Sequence, residues 1–304
     1  MESIIYIDRE SKALQTEKIY GDKALKFLYG QNLLCRILGA PFLPFIAKSP
    51  FISAAYGFWQ RLPITRKKIA PFIEKFEVDP SEFLEPIESF RSFNDFFVRK
   101  LKPEARPIAP GNETAIIPAD GRYFFYQNIA EASGFVVKGQ KFSLESLLQD
   151  QNMAQEYSQG SMLIARLCPS DYHRYHFPCV CVPSETRLIN GWLYSVNPIA
   201  IKQDIEIFTQ NKRTVCQLQT EGFGKVLFLE IGATNVGSIN QTYTPHHMYL
   251  KGAEKGFFSF GASSLILLFL PGSIQFDQDL LDISGRNLEV RCLMGQSMGK
   301  VLGQ

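Results

Sequence analysis

Histidine and tryptophan are scarce in this 304-residue chain, which has four of the first and two of the second. Proton-transfer chemistry near neutral pH therefore rests on few side chains. Cysteine is sparse as well: Cys35, Cys168, Cys179, Cys181, Cys216 and Cys292 form no CxxC pair. That excludes a disulfide scaffold and fits reduced thiols in a cytoplasmic setting. Net charge is nearly absent, with 32 basic and 30 acidic residues leaving +2. Nucleic-acid binders usually carry a strongly basic domain, so no nucleic-acid partner is expected. Long apolar runs are missing too. Gly39 to Phe58 comes nearest and is broken by Pro44, Lys48 and Pro50, so no membrane-spanning helix is expected. The opening residues carry acids and lack the basic and apolar regions of a signal peptide.

Hydrophobic residues make up 45% and charged residues 20% of the chain, enough for a sizeable globular core. The charge is uneven locally. From Lys23 to Ile73 there are eight basic residues and no acid, among many Phe, Leu and Ile. Asp22 is a candidate N-cap for a helix from Lys23, and Phe51, Ala55, Phe58 and Leu62 have helical spacing. Trp59 suits a membrane interface. Such a basic, aromatic pair of helices fits an anionic lipid surface, and equally an ordinary helical subdomain.

After Ser89 the texture changes. Ala115–Ile117, Tyr123–Tyr126, Phe135–Val137, Met162–Leu167, Val226–Ile231 and Leu265–Leu270 read as strands between Gly, Pro and Asn turns. Ser143 caps one short helix among them. The predicted fold class is α+β: a β-rich catalytic body of mixed or antiparallel strands with a helical N-terminal region. The expected division is residues 1–88, basic and membrane-associating, and residues 89–304, catalytic.

Two histidines, His173 and His176, lie three apart in a segment bounded by Pro169 and Pro178; His246 and His247 fall in a loop-like stretch. Histidine is well poised to move protons near neutral pH. A structural, hydrogen-bonded pair is the alternative. His173, His176, Cys179 and Cys181 offer metal-ligand types, but Cys-Val-Cys is not a standard zinc spacing, and no metal is expected. Asp120-Gly121 reads either as a turn or as a carboxylate that orients a histidine. Ser263, after Gly261-Ala262 and before an apolar strand, is either part of a small-residue hairpin or a nucleophile on a tight turn.

These pieces stand in a set order. Ser92-Phe-Asn-Asp-Phe-Phe-Val-Arg-Lys-Leu-Lys-Pro-Glu-Ala-Arg-Pro107 is followed by Pro118-Ala-Asp-Gly121, then Asp171-Tyr-His-Arg-Tyr-His-Phe-Pro178. Gly232-Ala-Thr-Asn-Val-Gly-Ser-Ile239, Lys251-Gly-Ala-Glu-Lys-Gly256 and Gly261-Ala-Ser-Ser264 come after them. The chain thereby resembles the pyruvoyl-dependent phosphatidylserine decarboxylase proenzymes over roughly residues 85–304.

That resemblance implies self-cleavage between Ala262 and Ser263, with Asp120, His176 and Ser263 as the matched triad. His176, oriented by Asp120, takes the Ser263 hydroxyl proton. The oxygen attacks the carbonyl of Ala262, giving an ester. Loss of the Ser263 α-proton eliminates the upstream chain, and hydrolysis of the remaining dehydroalanine leaves a pyruvoyl group and ammonia. Ser263 is thus the precursor of the covalent pyruvoyl cofactor, an electron sink for decarboxylation. His173 matches the histidine of the decarboxylation step. The implied partners are phosphatidylserine in an anionic membrane and a heterodimer of the two cleavage chains, open to further dimerisation. The implied location is peripheral, on the cytoplasmic face of the cell membrane.

One residue departs from the pattern, which has Gly where Ala262 stands. Alanine in a left-handed turn costs ~1–2 kcal/mol, enough to slow processing by roughly 5- to 30-fold if the strain falls on the reactive geometry. The competing readings are a Ser-His-Asp hydrolase or acyltransferase using Ser263, and a non-catalytic lipid-binding protein stalled by Ala262.

Overall fold

The computed structural model describes residues 4–20, 50–132, 140–233, 239–259 and 263–302. The helix expected from Lys23, the strand at Phe135–Val137, and Ala262 itself lie outside the described residues.

Sixteen strands are described. In chain order they are β1 (Ile5–Asp8), β2 (Leu14–Thr16), β3 (Thr114–Ile116), β4 (Gly121–Tyr126), β5 (Ser161–Leu167) and β6 (Arg174–His176). There follow β7 (Cys181–Pro183), β8 (Arg187–Ile189), β9 (Arg213–Thr220), β10 (Lys225–Gly232), β11 (Ile239–Gln241) and β12 (Glu254–Phe258). The last four are β13 (Ser263–Phe269), β14 (Ile274–Phe276), β15 (Glu289–Cys292) and β16 (Ser297–Val301). Ten of them form one sheet in the order β2-β1-β15-β4-β5-β13-β10-β9-β7, with β8 also on β9. Only β1–β15 is parallel in this sheet, so it is mixed. Two three-stranded sheets, β11-β12-β6 and β14-β16-β3, complete the body.

The central strands are buried on both faces, which explains their unbroken apolar runs. Side chains alternate across a strand. In β13, Leu265, Leu267 and Phe269 join Tyr175, Phe177 and Phe258 in one core. Ile266 and Leu268 join Leu147, Leu148 and Phe208 in the other. The first core lies toward the small sheets, the second toward short helices that include Leu144–Leu148. That helix is capped as its sequence predicts, Ser143 Oγ accepting from the Ser146 amide at 3.2 Å.

The N-terminal region differs from a purely helical one. Its residues 5–8 and 14–16 are strands on the edge of the main sheet. Next come α1 (Pro50–Gln60), α2 (Ile69–Phe76) and α3 (Phe93–Phe97). A third core of Ile69, Phe72, Phe83, Phe90, Phe93, Phe96 and Phe97 straddles residue 88. Its rings meet edge to face, with Phe72 and Phe93 centroids 5.2 Å apart. Ser92 caps α3, accepting from the Asp95 amide at 3.2 Å. This small core carries α3 against the body.

The segment from 263 onward is woven through the molecule. It is 42 residues long and supplies β13, in the middle of the main sheet, β15 between β1 and β4, and two small-sheet strands. Five consecutive apolar side chains of β13, Leu265 to Phe269, are fully buried, each contributing roughly 1.5–3 kcal/mol. If the chain is cut before Ser263, the two pieces should co-elute on gel filtration in native buffer and part only in denaturant. Loss of the small piece in native buffer would contradict this packing.

Candidate active site

Ser263 opens β13. Its backbone is in register with Leu167 of β5 on one side and Gly232 of β10 on the other. The side chain is 0% exposed, and Oγ has no hydrogen-bond partner among the described residues. Burying a hydroxyl without a partner is unfavourable, so this atom is placed at a cost to stability. Ser264 Oγ is likewise buried and unpartnered, but alternation turns it to the opposite face, in register with Arg166 and Ile231.

The two histidines lie on and just before β6, which pairs with β12. The Phe258 amide donates to the His173 carbonyl at 2.9 Å, so the strand leading toward residue 262 is latched to the histidine segment. Both rings have fixed tautomers. His173 Nδ1 is 2.9 Å from the Asp171 carbonyl, and His176 Nδ1 is 2.9 Å from the Gly252 carbonyl. A carbonyl only accepts, so each Nδ1 carries a proton, and in the neutral ring the basic lone pair is on Nε2. His173 is fully buried, its ring 3.9 Å from that of Phe97 on α3. His176 Nε2 is 3.3 Å from the Tyr172 hydroxyl. Burial holds the His176 pKa below its ordinary value, although the Gly252 hydrogen bond and the charges of Glu254 and Asp120 push the other way. The ring is therefore neutral at pH 7.

The carbonyls that hold these rings are themselves built in. Gly252 has φ +82, a left-handed conformation open to glycine at little cost. The Asp171 turn is closed by its own carboxylate, which accepts from the Cys168 amide at 2.7 Å and from Arg122 at 2.6 Å. Burial alone would raise the Asp171 pKa, but the charge and hydrogen bond of Arg122 lower it overall.

The sequence expectation of Asp120 bonded to His176 is not met among the described residues. Asp120 Oδ2 accepts from Arg106 Nη2 at 2.6 Å and Oδ1 from Arg106 Nε at 2.9 Å. The Met294 amide takes Oδ1 as well, at 2.9 Å. A carboxylate so engaged acts on His176 through charge, not contact. Gly121 beside it allows the close approach of β5, since a Cβ there would lie 2.9 Å from the Arg166 carbonyl. Ser263 and His176 share no hydrogen bond either, and the peptide between 262 and 263 lies outside the described residues.

Sequence reading passed over Tyr172, Phe97, Arg106 and the Gly252 carbonyl. Each stands within a motif already singled out, but nothing local announces its partner. Cys179 and Cys181 are buried in the first core, and burial pushes the Cys179 thiol up to about 12, so it stays protonated.

The whole describes an α+β fold in which Ser263, His173 and His176 are each buried. A family model for phosphatidylserine decarboxylase matches residues 93–300. Relatives named phosphatidylserine decarboxylase proenzyme come from Chlamydia pneumoniae, 50% identical over 97% of this chain and 96% of the relative, and Chlamydia caviae, 50% identical over 99% of each. Another, from Chlamydia trachomatis serovar D, is 44% identical over 98% of this chain and 97% of its own length. The chain belongs to the phosphatidylserine decarboxylase family.

Proposed function

We propose that this chain is a self-processing proenzyme that converts phosphatidylserine to phosphatidylethanolamine and carbon dioxide. The observation that carries the reading is Ser263: a fully buried serine with an unsatisfied Oγ at the head of a central strand. Such an atom fits the precursor of a covalent pyruvoyl group, because its environment leaves it free to react and shuts out bulk water. When formed, that group supplies the electron sink for decarboxylation.

The protein's own residues supply the rest. His176 is neutral and presents Nε2, the lone-pair nitrogen, as the base that takes the Ser263 proton during self-cleavage. Tyr172 and the Gly252 carbonyl hold its ring. Asp120 favours the imidazolium form by charge, and anchors the segment around Met294. His173, closed in under Phe97, handles the proton or the substrate in the decarboxylation step. The products of cleavage are chains 1–262 and 263–304, retained as a heterodimer.

The test is to express the full chain and measure its intact mass, then to assay carbon dioxide release from phosphatidylserine vesicles. Two masses, the smaller beginning at residue 263 with a blocked terminus, and carbon dioxide release are expected. An intact chain labelled by a serine-directed phosphonate would replace this reading with a hydrolase. An intact chain that only binds vesicles would leave a lipid-binding protein.

The enzyme works as a peripheral protein on the cytoplasmic face of the membrane. Among the described residues no helix is long and apolar enough to cross a bilayer. Instead, Phe58, Trp59 and Ile64 are 66%, 41% and 62% exposed, and Arg61, Arg66 and Lys67, close to them in the chain, are exposed too. Lys68 Nζ sits 3.6 Å from the Trp59 ring centroid. Exposed aromatic groups among basic residues of the same segment suit an anionic interface. Co-sedimentation should be stronger with anionic than with neutral vesicles and should weaken as salt rises. Equal binding to both at all salt concentrations would remove the electrostatic contribution.

A further inference from the structure

Arg99 is a buried cation whose donors are largely unused. It is 4% exposed, held between the Phe83 and Phe96 rings at 5.1 and 4.9 Å. Only Nη2 finds acceptors among the described residues, the Ser170 and Asp171 carbonyls at a long 3.3 and 3.5 Å. Nε and Nη1 find none. The neighbouring buried arginines differ: Arg106 pairs with Asp120, Arg122 with Asp171, Arg166 with Glu289 and Arg174 with Glu254. No carboxylate is in salt-bridge contact with Arg99 among the described residues, although Asp120, Asp171 and Glu82 act on it from further off, and buried donors left unmade are costly. Burial pulls the Arg99 pKa down to about 10, which still leaves it protonated at pH 7.

The residue stands next to the reaction centre. The Asp171 carbonyl that takes Arg99 Nη2 also takes His173 Nδ1. Phe97, two residues before Arg99, lies on the His173 ring. An anion that paired with Arg99 would sit beside His173.

We propose that Arg99 binds the phosphodiester of the substrate head group. The head group has two anions, phosphate and carboxylate. The carboxylate departs as neutral carbon dioxide, so an arginine on it would stabilise the ground state and raise the barrier. The phosphate keeps its charge throughout and can be held without opposing the reaction. Arg99 is then a binding residue, and its loss falls on KM more than on kcat.

This inference rests on the decarboxylase reading, and the two fail differently. If the wild-type chain releases no carbon dioxide from phosphatidylserine, the function is wrong. The test of Arg99 uses the full chain as Arg99→Lys and Arg99→Met, with chain splitting checked on denaturing gels. Lysine keeps the charge but loses the fork. Both variants should split normally. KM for short-chain phosphatidylserine should rise roughly 10- to 100-fold, as for a lost charge-assisted hydrogen bond, with kcat changed far less. Short-chain phosphatidylethanolamine, which has the phosphate but no carboxylate, should lose potency as an inhibitor by the same factor. Unchanged inhibition with a raised KM would assign Arg99 to the carboxylate instead. No change in either would leave a structural cation, and a block in chain splitting would place Arg99 in self-cleavage; each overturns the proposal. A measurement on the wild type alone guards against variants that fail to fold. An ether analogue in which the serine side-chain oxygen is joined directly to diacylglycerol, keeping the free amine and carboxylate but lacking the phosphate, should be used roughly 10- to 100-fold less efficiently than phosphatidylserine. Equal use of the two lipids would also overturn it.

Discussion

Replacing Ser263 by alanine should leave the chain whole, with no trace of a 42-residue fragment and no carbon dioxide release. The loss is expected to be complete because the hydroxyl is the attacking atom, and nothing near it can stand in. Ser264 is the nearest candidate. Its Oγ is on the opposite face of β13, in register with Arg166 and Ile231, so it faces away from Ser263 Oγ and the first core. It would also attack one peptide out of register. The fold should survive the change, because removing an unpartnered buried hydroxyl leaves no new unsatisfied group. A thermal melt of Ser263→Ala should therefore be no lower than that of an uncut wild-type chain. The check is a time course on denaturing gels with mass spectrometry of any small product. A fragment that still appears in Ser263→Ala, or a wild-type fragment beginning elsewhere than residue 263, would overturn the site.

His176→Ala and His173→Ala should fail at different stages although the residues are three apart. His176→Ala should remain uncut, its self-cleavage slowed by roughly 100- to 10,000-fold, the usual worth of a positioned base. His173→Ala should split normally and then release little carbon dioxide. The pH dependence follows from the ring's state. A base must be neutral, and burial keeps the His176 pKa below its ordinary value. Self-cleavage should thus be level through neutral pH and be lost only as pH falls through the lowered pKa, below the ordinary histidine value of ~6.5. A cleavage rate that falls as pH rises from 7 to 8 would contradict this, as would a cut His176→Ala or an uncut His173→Ala.

Much of the site could be read along the chain because its signals are local. Apolar runs bounded by turn residues marked five of the described strands, β3, β4, β5, β10 and β13, to within a few residues. Ser143, a cap three residues from its amide, was legible for the same reason. The motif order singled out Ser263, His173, His176 and Asp120 without any contact being known. What those side chains touch was not legible. β1 joins β15 near the far end of the chain, Tyr6 in register with Glu289, and three or four residues of β pattern do not name such a partner. Asp120 belongs to Arg106 and the Met294 amide, not to His176, because packing brings an arginine and a distant N–H to it first. The histidine tautomers depend on backbone carbonyls of Asp171 and Gly252, which no side-chain pattern records. Arg99 shows the difference best: as a letter it is one more basic residue, and only burial with unused donors makes it a candidate anion site. Residue types and their order set which chemistry is possible; the pairing of buried charges, a contest among groups far apart in the chain, sets which atoms perform it.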